Sequence, residues 1–146
     1  MKNLKNIELK ISQKEINQQL FYACRHGDVV LIEKLLSGND SQESADLYAK
    51  NECVVDLNLI GFNVLMYACH YYRLGIDNKA IINYLILDKK MKVDEATLDW
   101  LGGKNHYDFQ YRFDYVLKLI KIREANDKLS QKLDNEKYIL NKVKKI

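Results

Sequence analysis

Residues 20–24 read LFYAC and residues 65–69 read LMYAC, so one five-residue stretch occurs twice, at an offset of 45. Four of the five positions are identical, which indicates an internal repeat. Around each copy the apolar residues recur at helical spacing. A second apolar stripe follows each copy, at Ile32, Leu35 and Leu36 and then at Ile82, Leu85 and Ile86. The sequence therefore predicts two pairs of antiparallel helices that stack as repeats.

Helix-capping residues predict where the first pair begins and ends. Ser12 and Glu15 have the spacing of a capping box, which starts a helix. Gly27 should end that helix because glycine tolerates positive φ, and Asp28 should cap the next one.

Similar signals give two weaker boundaries further along the chain. Asp77 is the predicted N-cap of the second helix in the second pair. Residues 39–51 are an insertion relative to the repeat, and we predict a short helix there over residues 44–50.

The repeated unit resembles a known family. The ankyrin repeat opens with the pattern Thr-Pro-Leu-His-x-Ala-Ala and continues with a second helix of the pattern Val-Val-x-x-Leu-Leu. Residues 18–39 are similar to this repeat. Residues 55–63 resemble the end of one ankyrin repeat and the hairpin turn into the next. A degenerate third copy of the repeat over residues 92–122 would have helices at 95–101 and 108–122. The resemblance implies an all-α fold of stacked, ankyrin-like helix-turn-helix repeats with short hairpin tips.

The sequence also departs from the ankyrin pattern. Gln18-Gln19 and Asn63-Val64 stand where the family has Thr-Pro, and Phe21 and Met66 stand where it has histidine. A tetratricopeptide-like helical repeat is the alternative fold. It is disfavoured by residues 58–62, which are typical of a hairpin tip.

Residues 104–146 contain neither proline nor glycine and predict one long helix, or two helices broken near Asn126. A terminal repeat leaves an apolar face bare, so this helix is interpreted as a cap on the array. The predicted domains are a repeat array over residues 1–125 and a cap or extension over 126–146. A dimerising or partner-binding helix is the alternative, although Glu136 falls where a coiled coil requires an apolar residue.

Composition restricts the class of protein. The chain has 146 residues and a net charge of +3, and no apolar run reaches the ~20 residues of a membrane span. Three cysteines without disulfide-type spacing predict a reducing, cytoplasmic location. Residues 39–61 carry five acids and one base, whereas residues 118–146 carry nine bases and four acids.

Catalytic and metal-binding patterns are poorly represented. The chain has no Gly-x-Ser-x-Gly, phosphate-loop or dinucleotide motif, so we expect neither an enzyme nor a cofactor. By residue type, a zinc site is conceivable at Cys24 and His26 together with Cys69 and His70. Equivalent positions of stacked repeats lie on the order of 10 Å apart, whereas zinc ligands lie ~2.0–2.3 Å from one centre. Small buried cysteines between packed helices, with no metal and no disulfide, are the preferred interpretation.

The ankyrin resemblance implies a protein-binding surface at two places. Leu59, Ile60 and Phe62 would lie at the hairpin tip, where ankyrin proteins carry contact residues, unless they pack inward. His70, Tyr71 and Tyr72 would line the concave face, with Arg25 and His26 as their equivalents one repeat earlier. Tyrosine and arginine are enriched at binding hot spots.

These features predict a non-catalytic module that binds another protein. The acidic segment favours a basic partner, and the resemblance extends to bacterial immunity proteins that neutralise toxins such as nucleases. The alternatives are an effector or anti-defence protein that hijacks a cellular protein, and a homo-oligomeric module built through the C-terminal helix. Specific nucleic-acid binding is disfavoured because the chain has 4 arginines against 19 lysines. The basic tail leaves weak attraction to phosphates or membranes open.

Overall fold

The computed structural model describes residues 12–38, 43–53, 58–104 and 112–144. Within these residues the protein forms six α-helices and no β-strand, so the all-α prediction is confirmed. The chain divides into two compact units, Met1–Met91 and Lys92–Ile146. The predicted boundary between residues 125 and 126 instead lies inside the last helix.

No helix among the described residues combines the length and the apolar character that crossing a bilayer requires.

The described residues of the first unit form four α-helices in two pairs. Its elements are α1 Gln13–His26, α2 Val29–Ser37, α3 Val64–Arg73 and α4 Lys79–Asn83, which continues as a π-helical segment, Tyr84–Asp88. Helix α1 packs against α2 and α3, and α4 packs against α2 and α3. The two pairs therefore lie side by side, with α1 next to α3.

Side chains cap three of these helices. The Ser12 hydroxyl accepts a hydrogen bond from the Glu15 amide at 3.2 Å, and Asp28 accepts from the Leu31 amide at 3.0 Å. Asn63, which replaces the threonine of the ankyrin pattern, accepts from the Met66 amide at 2.9 Å. Each bond satisfies an amide that the helix itself leaves unpaired. The predicted starts of α1 and α2 are confirmed.

The start of α4 differs from the prediction. The cap residue is Asn78 rather than Asp77, and its side chain does not cap the helix. Asn78 is fully buried, and its amide donates 2.9 Å hydrogen bonds to the carbonyls of Cys24 and Ala68. The Asp77 carboxylate still accepts a 3.4 Å hydrogen bond from the Lys79 amide, so the predicted residue bonds the first turn of α4 from one position earlier.

The predicted short helix at 44–50 is also wrong for the described residues of the insertion, which are irregular from 43 to 49. Asn17 accepts a hydrogen bond from the Asp46 amide at 2.8 Å, and Asp46 accepts from the Tyr48 amide at 2.9 Å. These two side chains, one distant in sequence and one local, satisfy backbone amides of the insertion and so compete with a helix. The Ala45 amide donates to the carbonyl of Leu35 at 2.7 Å, which ties the insertion to α2.

The second unit contains α5 Glu95–Leu101 and α6 Asp114–Lys144, which contact each other. Helix α5 has the predicted bounds and is capped by Asp94, which accepts from the Thr97 amide at 2.8 Å. Trp100 and Phe113 stack with ring centroids 5.2 Å apart. Helix α6 begins at Asp114 and runs through Asn126 without a break; the start predicted at residue 108 lies outside the described residues.

Gly27 is where the turn between α1 and α2 approaches the turn between α3 and α4. Its φ is +68°, and a Cβ at this position would lie 3.2 Å from Cγ2 of Ile76. Gly61 also has a positive φ, +84°, but a Cβ there would meet no described atom within 4 Å. A substitution at Gly61 therefore tests backbone strain alone, whereas a substitution at Gly27 tests strain together with steric crowding.

We expect Gly27→Ala to destabilise the first unit by about 2 kcal/mol and Gly61→Ala by about 1 kcal/mol. Urea unfolding followed by circular dichroism measures both changes. Equal losses in the two variants would mean that the close approach of the two turns contributes nothing.

Candidate functional site

The interface between α1 and α3 is lined by the small residues of the two repeated stretches. Ala23, Cys24, Ala68 and Cys69 are all fully buried there. Burial raises the pKa of both thiols, and the nearby Cys24 raises that of Cys69 further. Both thiols are free and neutral, which makes them poor nucleophiles and poor metal ligands. Their role is to let the two helices pack closely.

Beside this interface lies an aromatic–arginine cluster formed by Phe21, Arg25, Tyr67 and Tyr71. Arg25 donates a 2.8 Å hydrogen bond to the Tyr67 hydroxyl, and its guanidinium lies 5.9 Å from the centroid of the Tyr71 ring. The ring centroids of Phe21 and Tyr71 each lie 5.1 Å from that of Tyr67. These contacts hold a cation and three rings in one arrangement across the two helices.

The predicted residues on α1 and α3 fall partly within this arrangement. Arg25 and Tyr71 are half-buried members of the cluster, and the His70 ring lies 5.4 Å from the Tyr71 ring. His26 is exposed on α1. Tyr72 is half-buried but points about 100° around the helix from Tyr71.

Sequence reasoning missed Tyr22, which is 57% exposed. Its ring lies 4.4 Å from that of His26, one helical turn away. The signal was available, since Tyr22 and His26 are four residues apart on a helix and flank Arg25. We define the α1–α3 face as the surface formed by Tyr22, Arg25, His26, His70 and Tyr71.

The tip between α2 and α3 is only partly available for binding. Leu59 is 5% exposed, so the prediction that its side chain is a contact residue is corrected. Ile60 is 47% exposed and Phe62 is half-buried. Leu59 turns inward in a loop that the buried Asn51 closes.

Asn51 organises this loop through backbone and side chain together. Its amide donates to the Phe62 carbonyl and its carbonyl accepts from the Gly61 amide, both at 2.8 Å. Its side chain donates to the Leu59 carbonyl at 3.1 Å. Lys50 and Asn63 form an isolated antiparallel bridge next to it. The base of the loop is thus hairpin-like, and Ile60 at its tip is exposed to solvent.

The acidic side chains in the described part of the acidic segment are solvent-exposed. Glu43, Asp46 and Glu52 are exposed, whereas Asp40 and Asp56 lie outside the described residues. Glu52 pairs with Lys14 at 3.3 Å, but both side chains are largely in water, so the pair adds little stability. These carboxylates can therefore attract the positive charges of an approaching partner.

Residues 12–38, 43–53, 58–104 and 112–144 contain no group of three His, Cys, Asp or Glu side chains placed to hold a metal ion. A surface groove of about 590 Å³ lies along α2 and is lined by Val30, Glu33, Lys34, Ser37 and Gly38. It lies on α2, and none of its lining residues belongs to the α1–α3 face.

Compared with known proteins, the chain matches no protein-family model, no curated protein and no solved structure. The ankyrin resemblance therefore stays a prediction that rests on the residues quoted for it.

Proposed function

We propose that this protein is a non-catalytic, cytoplasmic protein-binding module whose contact surface is the α1–α3 face. The observation that carries the proposal is the aromatic–arginine cluster, which holds Arg25 and Tyr71 half-exposed in a fixed geometry. Tyrosine and arginine dominate binding hot spots because they offer a large contact area with a polar end. Side chains already held in place lose little further entropy on binding.

Two other features of the first unit support the same proposal. Exposed Ile60 supplies an apolar contact at the tip. The exposed acids Glu43, Asp46 and Glu52 favour a basic partner and would raise the rate of encounter at low salt. The side-by-side helix pairs agree with an ankyrin-like array, in which inner helices and hairpin tips form the binding surface.

The particular role we propose is neutralisation of a basic toxin, such as a nuclease, by an immunity protein that covers its active site. This step rests on the ankyrin resemblance and on the acidic segment. An effector that hijacks a cellular protein would use the same face. The captured protein distinguishes the two roles: a toxin encoded beside this gene supports immunity, and a host or defence protein supports the effector.

The test is affinity capture from a native lysate, identification by mass spectrometry, and calorimetric titration of the purified partner. Tyr22→Ser and His26→Ser should each weaken binding about tenfold or more. The matched control is Val30→Ser on α2, since Val30 is 56% exposed and Tyr22 is 57% exposed. Equal affinities for all four proteins, wild type included, would contradict the proposed face. Ile60→Ser tests the tip separately.

A further inference from the structure

Helix α6 divides into a packed start and an exposed remainder. Val116, Leu119 and Ile120 are buried near its beginning. From residue 124 to residue 143 every side chain is exposed in the part of the chain that the structure describes. Twenty helical residues extend about 30 Å, so a long, solvent-facing rod follows the packed turns.

From Ile122 to Val143 the helix carries a regular apolar stripe, which we call the seam. Its positions alternate between spacings of four and three residues, which is the 3.5-residue period of a coiled coil. The apolar seam residues are between 42% and 62% exposed. They are Ile122, Leu129, Leu133, Leu140 and Val143. Asn126 and Glu136 occupy the two remaining seam positions.

The positions that flank the seam are basic. Lys118 and Lys132 lie on one side, and Arg123 and Lys137 lie on the other. The remaining flanking positions from 118 to 139 are uncharged, and the acids Glu124, Asp127 and Asp134 fall on the opposite side of the helix. Flanking residues decide which helix a coiled-coil seam accepts.

A second copy of this chain is a poor occupant. In a parallel pair Lys132 would face Lys137 of the second copy, and the two Glu136 carboxylates would meet in the seam. In an antiparallel pair each basic flank would run beside its own equivalent. Like charges repel in both arrangements.

A membrane surface is also a poor occupant. The seam takes two positions in seven, which is narrower than the broad apolar face of an interfacial helix. Asn126 and Glu136 would have to enter the acyl region, where an ionised carboxylate is strongly disfavoured.

We infer that the seam of α6 binds an amphipathic helix of a different protein, one with acidic residues at its flanking positions and a basic residue opposite Glu136. Charge complementarity selects this occupant: acidic flanks pair with Lys118, Arg123, Lys132 and Lys137. This surface uses none of the residues of the α1–α3 face, and the inference does not depend on the function proposed for that face.

The test uses two synthetic helical peptides of about four heptads with leucine at the seam positions. Each carries one asparagine and one lysine in the seam to match Asn126 and Glu136. One peptide has glutamate at every flanking position, and the other has lysine. Titrated into the full chain and followed by fluorescence anisotropy, the acidic peptide should bind on the order of 30-fold more tightly.

Two variants localise the binding. Leu133→Glu puts a charge in the seam and should abolish binding of the acidic peptide. Asn135→Glu adds the same charge on the same exposed helix but outside the seam, and it should bind within about twofold of wild type.

Several results would overturn the inference. These are no binding of the acidic peptide, equal binding of both peptides, or equal loss in the Leu133→Glu and Asn135→Glu variants. A dimer in light scattering of the chain alone would identify a second copy as the occupant. Stronger binding to phosphatidylserine-containing vesicles than to the acidic peptide would identify a membrane surface.

Discussion

Asn78→Asp should strongly destabilise the first unit at neutral pH. The Asn78 amide donates to the carbonyls of Cys24 and Ala68, each at 2.9 Å, in a site without solvent exposure. A carboxylate has no N–H to donate, and it would place a charge against two carbonyl oxygens. We expect a loss of about 3–5 kcal/mol, which is the range for an uncompensated buried charge. That is a large share of the ~5–15 kcal/mol by which domains are stable.

The pH dependence of this variant gives a second readout. An ionised carboxylate is disfavoured at this site in the folded state, so the folded variant takes up a proton more readily than the unfolded chain. The deficit relative to wild type should therefore grow as pH rises above about 4 and shrink below it. Asn78→Ala, which removes both donors without adding a charge, should lose about 2 kcal/mol with no such pH dependence.

Asn58→Asp is the matched control, because Asn58 is exposed in the same unit. It should change stability by less than about 0.5 kcal/mol. Urea unfolding gives the free energies, and hydrogen exchange of α1 and α3 amides places the loss in the first unit. A change in Asn78→Asp no larger than in Asn58→Asp would show that the buried amide does not tie α1 to the turn before α4.

Tyr67→Ala should be comparably severe for a different reason. Tyr67 is among the largest fully buried side chains, and its ring meets those of Phe21 and Tyr71. Removing the ring leaves a cavity between α1 and α3 and takes away the partner of Arg25. We expect a loss of about 3–5 kcal/mol.

Tyr67→Phe separates packing from hydrogen bonding. It keeps the ring but removes the hydroxyl that accepts from Arg25 at 2.8 Å. Its loss should be only about 1–2 kcal/mol, while binding of a partner to the α1–α3 face should weaken because Arg25 is less restrained. Tyr138→Ala on α6, where Tyr138 is 61% exposed, is the control and should leave stability unchanged. Equal losses in Tyr67→Phe and Tyr67→Ala would mean that the ring packing contributes little.

Local signals in the sequence predicted much of the helical framework. Ser12 and Asp28 cap the helices that their positions predict, and α5 has its predicted bounds. These predictions succeeded because a cap depends on residues only two or three positions apart, and a sequence displays that spacing directly.

The misses depend on contacts between distant residues. The interior role of Asn78 depends on its bond to Cys24, 54 positions away, and the insertion avoids a helix because Asn17 takes the Asp46 amide, 29 positions away. Leu59 is buried because Asn51 draws its carbonyl inward across the loop. Capping rules and periodicity carry no information about such pairs, so both the loop and the binding tip could be predicted only in outline.

The candidate face shows the same division. Arg25, His70 and Tyr71 were named from the repeat pattern, but the hydrogen bond from Arg25 to Tyr67 depends on the side-by-side packing of α1 and α3. Residue type predicted that the surface suits binding. Its fixed geometry follows from packing that the pattern does not describe.

Site-specific photo-cross-linking in living cells tests the central claim most directly. A benzophenone amino acid is placed at Tyr22 on the α1–α3 face or at Val30 on α2, two positions of nearly equal exposure, 57% and 56%. The account predicts one protein adduct from position 22, identifiable by mass spectrometry, and none from position 30. An adduct from position 30 with none from position 22 would contradict it.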